Sequence, residues 1–439
     1  MEKYLETAPE DVNTPLPSSF PDYLSFMEMG YAESLKAYLD ILDSHVHLEF
    51  AKKTKIIELL RTKGAKVFVP QNWEGIKVKP LHIVFIEGIP AIMKPKARPI
   101  NPKLFEHSKK EFDRLLSYMY VRCDGPVASP LIIAPKATAP FIRFCGDYQA
   151  VNKFIPHWHI PISHPQRTIS EKLVNHDAYG DIDMTNGFPQ LPIDEETSMK
   201  LSIQTPLGPV RPLFFPEGVP IGNAHLQQSM SKIFKDCEWA IVIFDNILIF
   251  TTGYDELYER IDIALDLCIK FNVTLKMGKT WLGFPEVKFF GYMCCKGSYE
   301  LATERKEALN QIPFPTSTKG MQSFLGFALF FKPFVSQYSI LAAPLNDMVQ
   351  KDFNWDPKTW KVDYRAVWQS FKDACNNCMG LHYNDPSLPK LVCPDAAEKV
   401  GVGAVLLQVR PLTDGSTVLE PFMCASAKFS DPATRWTTI

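Results

Sequence analysis

The chain has 439 residues, more than one ordinary domain holds, so we expect two to four domains. Its composition, 46% hydrophobic and 22% charged, is typical of a globular protein with a large core. No apolar run approaches the length of a membrane span, and we therefore expect no membrane partner. The net charge of −2 excludes a generally basic protein but is compatible with a local basic surface.

The ten cysteines show no spacing typical of a disulfide framework, which favours a reducing compartment. Cys375 and Cys378 form a Cys-x-x-Cys pair on a predicted helix, but no second ligand pair accompanies them. His157, His159 and His164 lie in an extended segment without a nearby cysteine. We interpret both groups as structural and not as metal sites.

Residues 1–90 contain no motif that indicates a function, and a proline-rich break at residues 15–19 precedes helical periodicity over residues 32–60. We expect this region to be an N-terminal extension. From about residue 91 strand and helix patterns alternate, and a basic cluster opens that region. It is either a solvated surface or a surface for phosphates, and its members are Lys94, Lys96, Arg98, Lys103, Lys109, Lys110 and Arg114.

The next predicted elements carry charged residues near their ends. Residues 129–136 predict a strand that ends at Lys136, and Arg143 lies seven residues further along a predicted hairpin. Residues 179–191 begin with another strand pattern that ends in acidic residues. Residues 215–227 are rich in turn-forming residues and then compatible with a helix.

Residues 241–250 are apolar on both sides of the polar pair Asp245 and Asn246. Two short β-branched runs joined by polar residues predict a hairpin with the carboxylate at its tip. An unpaired carboxylate in a buried sheet is costly, so either a metal ion satisfies Asp245 or the pair is a plain turn. Further on, helical spacing predicts a helix from Leu257 to Phe271, and residues 301–385 are mostly helical.

In this order, residues 179–191, 215–227 and 241–250 resemble motifs A, B and C of a reverse transcriptase. The resemblance is closest to the Pol polyproteins of gypsy-class long-terminal-repeat retrotransposons. Their patterns, approximately F-S-x-L-D-L-x-S-G-Y-x-Q-I, M-P-F-G-L-x-N-A-P-x-x-F-Q and Y-x-D-D-I-L-I, align here without gaps. Residues 275–280 and 287–292 resemble motifs D and E, and the resemblance extends over about four-fifths of the chain.

The resemblance implies an α+β right-hand polymerase with fingers, palm and thumb, followed by a helical connection and an incomplete ribonuclease H-like α/β segment. The implied domain boundaries are residues 1–90 for the N-terminal extension, 91–300 for the fingers and palm, 301–385 for the thumb- and connection-like helices, and 386–439 for the truncated ribonuclease H-like segment.

The implied activity is that of an RNA-directed DNA polymerase. In it, the primer 3′-hydroxyl attacks a deoxynucleoside triphosphate (dNTP) with the help of two divalent ions, Mg²⁺ or alternatively Mn²⁺. Mg²⁺ prefers hard oxygen ligands, which makes Asp183 and Asp245 the metal-binding candidates. The resemblance adds the backbone carbonyl of Met184 as a ligand. Asp181 is the rival aspartate within motif A.

The second aspartate of motif C is Asn246 in this chain, so one negative charge is missing. Either the element is decayed, or Asn246 is tolerated because Asp183 and Asp245 bridge the metal ions. The other motifs are intact, and we favour an active polymerase. The first alternative is a catalytically decayed derivative that binds nucleic acid or protein. The second, a viral-type RNA-dependent RNA polymerase, rests only on the Asp-Asn pair.

For nucleotide binding, Lys136 and Arg143 match basic residues that grip the incoming triphosphate, although both are compatible with plain surface charges. Phe188 matches a ring that excludes the ribose 2′-hydroxyl, which predicts a preference for dNTPs; the alternative is an ordinary core residue. Glu217 replaces an apolar or amide residue and either repels the triphosphate or pairs with Arg143. Two further candidates from motif B are Gly218 and Gln227.

Lys279 matches the motif D lysine, a candidate general acid for the leaving pyrophosphate, or else it is a solvent-facing lysine. With Asp183, Asp245 and Asn246 it completes the predicted catalytic set. Phe290 and Gly291 match the primer grip, and an ordinary strand and turn is the alternative.

Asp395 matches the first metal-binding aspartate of ribonuclease H, but the remaining acids would follow residues 435–439. We therefore expect no RNA cleavage, and we expect the chain to be a fragment of a polyprotein or a shortened gene model. The implied partners are an RNA or DNA template with its primer and dNTPs. The implied location is inside the cell, in the cytoplasm, a virus-like particle or the nucleus.

Overall fold

The computed structural model describes residues 35–36, 39–40, 50–68, 74–135, 142–156, 164–397 and 400–430. Some predicted features fall outside these ranges, namely the proline break at residues 15–19, Lys136, His157, His159 and residues 435–439. Within the described ranges, no helix is long and apolar enough to cross a membrane.

Helices occur along the whole described part of the chain. The α-helices are α1 (Phe50–Leu59), α2 (Phe105–Leu116), α3 (Gln149–Asn152), α4 (Pro165–Lys172), α5 (Glu195–Lys200), α6 (Gly222–Ile233), α7 (Tyr254–Phe271), α8 (Thr303–Gln311), α9 (Thr318–Ala328), α10 (Tyr338–Asp347) and α11 (Tyr364–Asn376). Helix α1 continues through a π-helical turn, Leu60–Gly64, into Ala65–Val67. Short 3₁₀ turns are Pro102–Leu104, Phe188–Gln190, Met277–Lys279, Leu329–Phe334 and Pro357–Thr359.

The strands range in length from two to twelve residues. They are β1 (Tyr120–Arg122), β2 (Ala128–Pro135), β3 (Ile142–Gly146), β4 (Ala178–Asp183), β5 (Ser202–Gln204), β6 (Val210–Pro212), β7 (Ala240–Ile243), β8 (Asn246–Thr251), β9 (Trp281–Phe284), β10 (Glu286–Phe289), β11 (Tyr292–Cys295), β12 (Ser298–Leu301), β13 (Leu381–His382), β14 (Lys390–Ala397), β15 (Gly401–Pro411) and β16 (Thr417–Lys428).

The chain divides into two compact units. Unit 1 comprises Met1–Ile162 and Tyr179–Phe284, and unit 2 comprises Ser163–Ala178 and Pro285–Ile439. In the described residues, unit 1 contains a five-stranded sheet in the order β1-β6-β5-β2-β3 and a four-stranded sheet in the order β7-β8-β4-β9. Unit 2 contains the sheets β10-β11-β12-β13 and β14-β15-β16. The finer division at residues 90, 300 and 385 stays a prediction.

Strand β4 lies between β8 and β9, and all its side chains are buried. Gly180 allows this packing because a Cβ there would lie 3.0 Å from Leu282 Cδ2 of β9 and 3.7 Å from Ile261 Cδ1 of α7. Helix α7 presents the predicted apolar face, with Ile261 and Leu265 fully buried, and packs against β8. It ends where Asn272 adopts a left-handed conformation, φ +58°.

The predicted hairpin is present as β7 and β8, but its turn lies one residue earlier than expected. Ile243 pairs with Asn246, so the two turn residues are Phe244 and Asp245. Asn246 therefore belongs to β8 and not to the tip. The reason is a left-handed backbone at Phe244, φ +55°, a conformation that the residue type does not predict.

The predicted ribonuclease H-like strands form an antiparallel meander in which β15 pairs with β14 on one side and with β16 on the other. Strand β14 is an edge strand, and its side chains are largely exposed, including the apolar Leu391 and Val392. A buried Gln408 on β15 donates its amide to Glu420 of β16 and to the carbonyl of Tyr383.

We expect Ile261→Ala to lower the free energy of unfolding by about 2–5 kcal/mol, because it removes a fully buried side chain between α7 and β4. Ile263→Ala on the same helix is the matched control, since Ile263 is 41% exposed, and its effect should stay within about 0.5 kcal/mol. Urea unfolding followed by circular dichroism measures both changes. Equal losses in the two variants would contradict the assigned buried face.

Candidate active site

Strand β4 ends in two aspartates that face the same side of the sheet. Asp181 and Asp183 are two residues apart, so their side chains point in the same direction, and both are buried. In each, the Oδ1 atom is buried without a hydrogen-bond partner. Buried carboxylate oxygens are normally paired, and these two therefore mark a place where a proton or a cation would be stabilising.

The pKa values of the two aspartates at the end of β4 are both raised. Burial raises the pKa of Asp183, and the charge of Asp245 raises it further, while Lys279 lowers it. Burial and the charge of Asp183 raise the pKa of Asp181 to about 8. The negative charges of the aspartates therefore repel one another, and a nearby divalent cation would offset this repulsion.

Asp245 comes to this position through the turn between β7 and β8. The Met184 backbone N–H donates to the Asp245 carbonyl at 2.9 Å, which ties the turn to the end of β4. Gly187 leaves space for it, because a Cβ there would lie 3.3 Å from Asp245 Cβ and 3.0 Å from Leu226 Cδ2. The structure therefore brings Asp183, Met184 and Asp245 together, and their role as metal ligands stays a prediction.

Two donors converge on the other oxygen of Asp183. The Asn246 amide donates to Asp183 Oδ2 at 3.1 Å, and the Lys279 ammonium lies 3.5 Å from the same atom. The Lys279 side chain is 57% exposed, whereas that of Asp183 is 9% exposed. The predicted catalytic set is thus assembled within unit 1, with Asn246 and Lys279 both on Asp183.

The residues fit a magnesium ion that keeps most of its ligands from elsewhere. Within the described ranges, no group of three or more His, Cys, Asp or Glu side chains is placed to hold a metal ion. Mg²⁺ is commonly bound by one or two carboxylates together with water and substrate phosphates. Asp183 and Asp245 would supply the two carboxylates. The unpartnered Oδ1 of Asp183 is the atom best suited to such a ligand role.

Two glutamine side chains form hydrogen bonds to the backbone around the site. The Gln190 amide donates to the carbonyls of Thr185 and Thr274 at 2.5 and 2.9 Å and accepts from the Thr274 N–H at 2.8 Å. Gln190 was not among the predicted site residues, although it occupies the glutamine position of the motif A pattern.

The second glutamine fixes the turn. Gln227 accepts from the Phe244 N–H at 2.8 Å and donates to the Val242 carbonyl at 2.9 Å and to Ser231. These hydrogen bonds use both the oxygen and the nitrogen of the Gln227 side chain to hold the hairpin. A contact between Gln227 and a nucleotide stays a prediction.

The ring predicted to contact the sugar lies beside the aspartates in sequence. Phe188 is half-buried and packs against Phe215, with ring centroids 6.2 Å apart. Gly222 supports this pair, because a Cβ there would lie 2.4 Å from Phe215 Cε1 and 3.2 Å from Phe188 Cδ1. One face of Phe188 is therefore packed against the protein, and the half-exposed remainder is available to a ligand.

Glu217 pairs with Arg143, which was one of two alternatives left open by the sequence. Arg143 Nη1 lies 3.5 Å from Glu217 Oε2, and both side chains are exposed, by 57% and 38%. Gly218 has a left-handed φ of +93°, and its carbonyl accepts from the Asn152 amide at 2.9 Å. Members of the basic cluster are also paired: Lys94 with Asp124, Arg98 with Asp147, and Arg114 with Glu111.

His225 on α6 is a buried polar residue that the sequence analysis did not single out. Its side chain is buried, both ring nitrogens lack a hydrogen-bond partner, and burial lowers its pKa. The motif B pattern gave no signal for it, because this histidine stands at a variable position of that pattern.

The remaining predicted residues lie in unit 2. Phe290 and Gly291 form the turn between β10 and β11, with φ of +49° and +81°, and a Cβ on Gly291 would lie 2.7 Å from Arg305 Nε. Asp395 lies on the exposed strand β14 and accepts a hydrogen bond from the Gln337 amide at 2.6 Å. His164, the described member of the histidine group, precedes helix α4.

Known proteins that resemble the chain are retrotransposon Pol polyproteins. No family model matches. The chain is 24% identical to the Transposon Tf2-7 polyprotein of Schizosaccharomyces pombe over 313 residues, which is 71% of this chain and 23% of that polyprotein. It is 26% identical to the Retrovirus-related Pol polyprotein from transposon 297 of Drosophila melanogaster over 300 residues, 65% of this chain and 27% of the other. It thus spans about a quarter of these relatives' length.

Solved structures that resemble the chain are foamy viral protease-reverse transcriptases. One in complex with double-stranded DNA has a TM-score of 0.79 and 21% identity, over 92% of this chain and 69% of that one. Another, in complex with an RNA/DNA hybrid, has a TM-score of 0.76 and 20% identity, over 92% and 53%. The expected α+β polymerase architecture is therefore confirmed. The chain is thus similar in sequence to retrotransposon Pol polyproteins, and its fold is that of these reverse transcriptases.

Proposed function

We propose that the chain is an RNA-directed DNA polymerase whose catalytic carboxylates are Asp183 and Asp245. The observation that carries the proposal is the unpartnered, buried Oδ1 of Asp183, beside Asp245, at the end of β4. A sheet that buries two neighbouring acids loses stability unless a proton or a cation neutralises them. A polymerase needs that cation, and the relatives of this chain supply the reaction class.

Mg²⁺ is the proposed metal, with Mn²⁺ as an alternative, held by Asp183, Asp245 and the backbone carbonyl of Met184. When bound, such ions lower the pKa of the primer 3′-hydroxyl and neutralise the triphosphate. The protein's own part is to orient the two carboxylates. Asn246, Gln227 and the Met184 N–H serve that purpose through the hydrogen bonds that fix Asp183 and the turn.

The incoming dNTP is proposed to contact four further side chains. Arg143 provides a bidentate donor for the triphosphate, and Lys136 provides a point charge. Phe188 limits the space at the sugar C2′ and so favours deoxyribose. Lys279, exposed and close to the carboxylates, is suited to donate a proton to the leaving pyrophosphate.

The proposed macromolecular partner is a template paired with a primer. Foamy viral protease-reverse transcriptases were solved with double-stranded DNA and with an RNA/DNA hybrid, and we extend this substrate class to the present chain. Unpaired members of the basic cluster are suited to template phosphates. We propose no ribonuclease H activity, and we propose that the protein acts inside the cell.

The alternative function is a catalytically decayed reverse transcriptase that binds nucleic acid or protein. The Arg143–Glu217 ion pair favours it, because Glu217 occupies the guanidinium that should grip the triphosphate. Asn246 favours it too, since it removes one charge from the metal site. We expect both features to weaken activity, but neither removes the two main carboxylates, and we therefore prefer the polymerase.

Primer extension on poly(rA)/oligo(dT) tests the main proposal. We expect extension in Mg²⁺ or Mn²⁺, and we expect Asp183→Asn and Asp245→Asn each to lower its rate by about 10³-fold, because metal binding is worth several kcal/mol of barrier. Asp236→Asn is the matched control, since that side chain is 86% exposed, and should have no effect. Duplex binding without extension in either metal would support the decayed derivative instead.

Phe188→Ala tests sugar selection. Without the ring, the ratio of kcat/KM for dNTP over ribonucleotide should fall by about 100-fold, the discrimination that a shaped apolar pocket provides. Phe188→Tyr keeps the ring and should keep the ratio. Single-nucleotide incorporation with matched dNTP and ribonucleotide measures both. An unchanged ratio in Phe188→Ala would remove this role, and a wild-type preference for ribonucleotides would favour the RNA polymerase alternative.

Glu217→Gln tests whether the ion pair competes with the triphosphate. Freeing Arg143 should lower the KM for dNTP by about two- to fivefold, the modest effect expected of an exposed pair. The effect should shrink in high salt. Arg143→Gln should raise the KM and cancel the benefit of Glu217→Gln in the double variant. A KM that rises in Glu217→Gln alone would show that the acid assists binding.

A further inference from the structure

The two donors on Asp183 Oδ2 reveal how Asn246 is oriented. An ionised carboxylate only accepts hydrogen bonds, so Asn246 must present its NH₂ group to Asp183 at 3.1 Å. Its carbonyl oxygen therefore points away from this contact. If Asn246 itself were a metal ligand, its carbonyl oxygen would have to face the ion beside Asp183, and the observed orientation does not favour this.

The two donors differ in how firmly they are held. Asn246 is the first residue of β8, its backbone is paired with Ile243, and its side chain is half-buried. Lys279 ends a short 3₁₀ turn, carries its charge on a flexible stem and is 57% exposed. Its contact, at 3.5 Å, is also the longer of the two. The amide is a fixed donor, and the ammonium is a removable one.

We propose that Asn246 is a positioning residue that orients Asp183 through its amide N–H, and that Lys279 is a removable counter-ion that a metal ion displaces from the same oxygen. The inference rests on the proposed metal site. It also explains how the chain accommodates Asn246 where the motif C pattern has a second aspartate. The Asn246 amide holds Asp183 Oδ2, which leaves the buried Oδ1 for the ion.

The proposal predicts opposite signs for two substitutions. Asn246→Ala removes the orienting donor and should weaken Mn²⁺ binding about tenfold, the usual lower effect of losing a hydrogen bond to a metal ligand. Lys279→Gln removes the competing cation and should tighten Mn²⁺ binding about two- to fivefold, because the ammonium is largely exposed to solvent. A purely structural role would give losses for both.

The experiment titrates the full chain with Mn²⁺ in the absence of nucleic acid and follows free Mn²⁺ by its electron paramagnetic resonance signal. Asp183→Asn identifies the site by abolishing binding there. Lys276→Gln is the control for Lys279→Gln, because it removes the same charge from an exposed side chain three residues away. Asn346→Ala is the control for Asn246→Ala, because it loses an amide hydrogen bond of 2.9 Å in unit 2.

The outcomes separate this inference from the proposed function. Tighter binding in Lys279→Gln than in Lys276→Gln, together with weaker binding in Asn246→Ala than in Asn346→Ala, supports it. If Asp183→Asn abolishes binding but Lys279→Gln is no tighter than its control, the inference fails and the metal site stands. If Asp183→Asn leaves Mn²⁺ binding unchanged, the metal site itself fails, and the inference fails with it. The exposed Lys279 variant keeps the test decisive should Asn246→Ala not fold.

Discussion

The burial of negative charge at the end of β4 is the constraint on which the site depends. Asp181 and Asp183 are placed where water does not solvate them fully, and the charge of Asp245 adds to theirs. Such a cluster is tolerated only if donors and a cation offset it. The neighbouring features serve this requirement. The β7–β8 turn is hydrogen-bonded to Met184, and two glutamines form hydrogen bonds to the surrounding backbone. The donors on Asp183 bind Oδ2 and leave Oδ1 without a partner.

Much of this site could be predicted from the sequence because the chemistry depends on residue types at fixed spacing within short segments. Asp183 and Asp245 were identified from strand patterns that end in acid and from the resemblance to reverse transcriptase motifs, and the structure brings them together although 61 positions lie between them. The turn was misplaced by one residue because hydrophobic alternation cannot report the sign of φ at Phe244. A side chain that satisfies distant backbone groups, as Gln190 does, leaves no periodic signal.

Two further limits have physical causes. The sequence left open whether Glu217 repels the triphosphate or pairs with Arg143, since a choice between two contacts depends on distances, and the pair at 3.5 Å resolves it. The compact units also do not follow the order of the chain. Residues Ser163–Ala178 join unit 2 although unit 1 residues flank them on both sides. Composition and motifs describe local segments, and this exchange arises only from tertiary packing.

The left-handed backbone of Phe244 carries a consequence for how the chain can evolve. A non-glycine residue in that conformation costs about 1–2 kcal/mol, so the tip that presents Asp245 is maintained at the expense of fold stability. Glycine would relieve the strain but would also let the aspartate sample other directions. Selection for greater heat resistance alone would therefore favour a looser tip, whereas selection for turnover would retain the strained one.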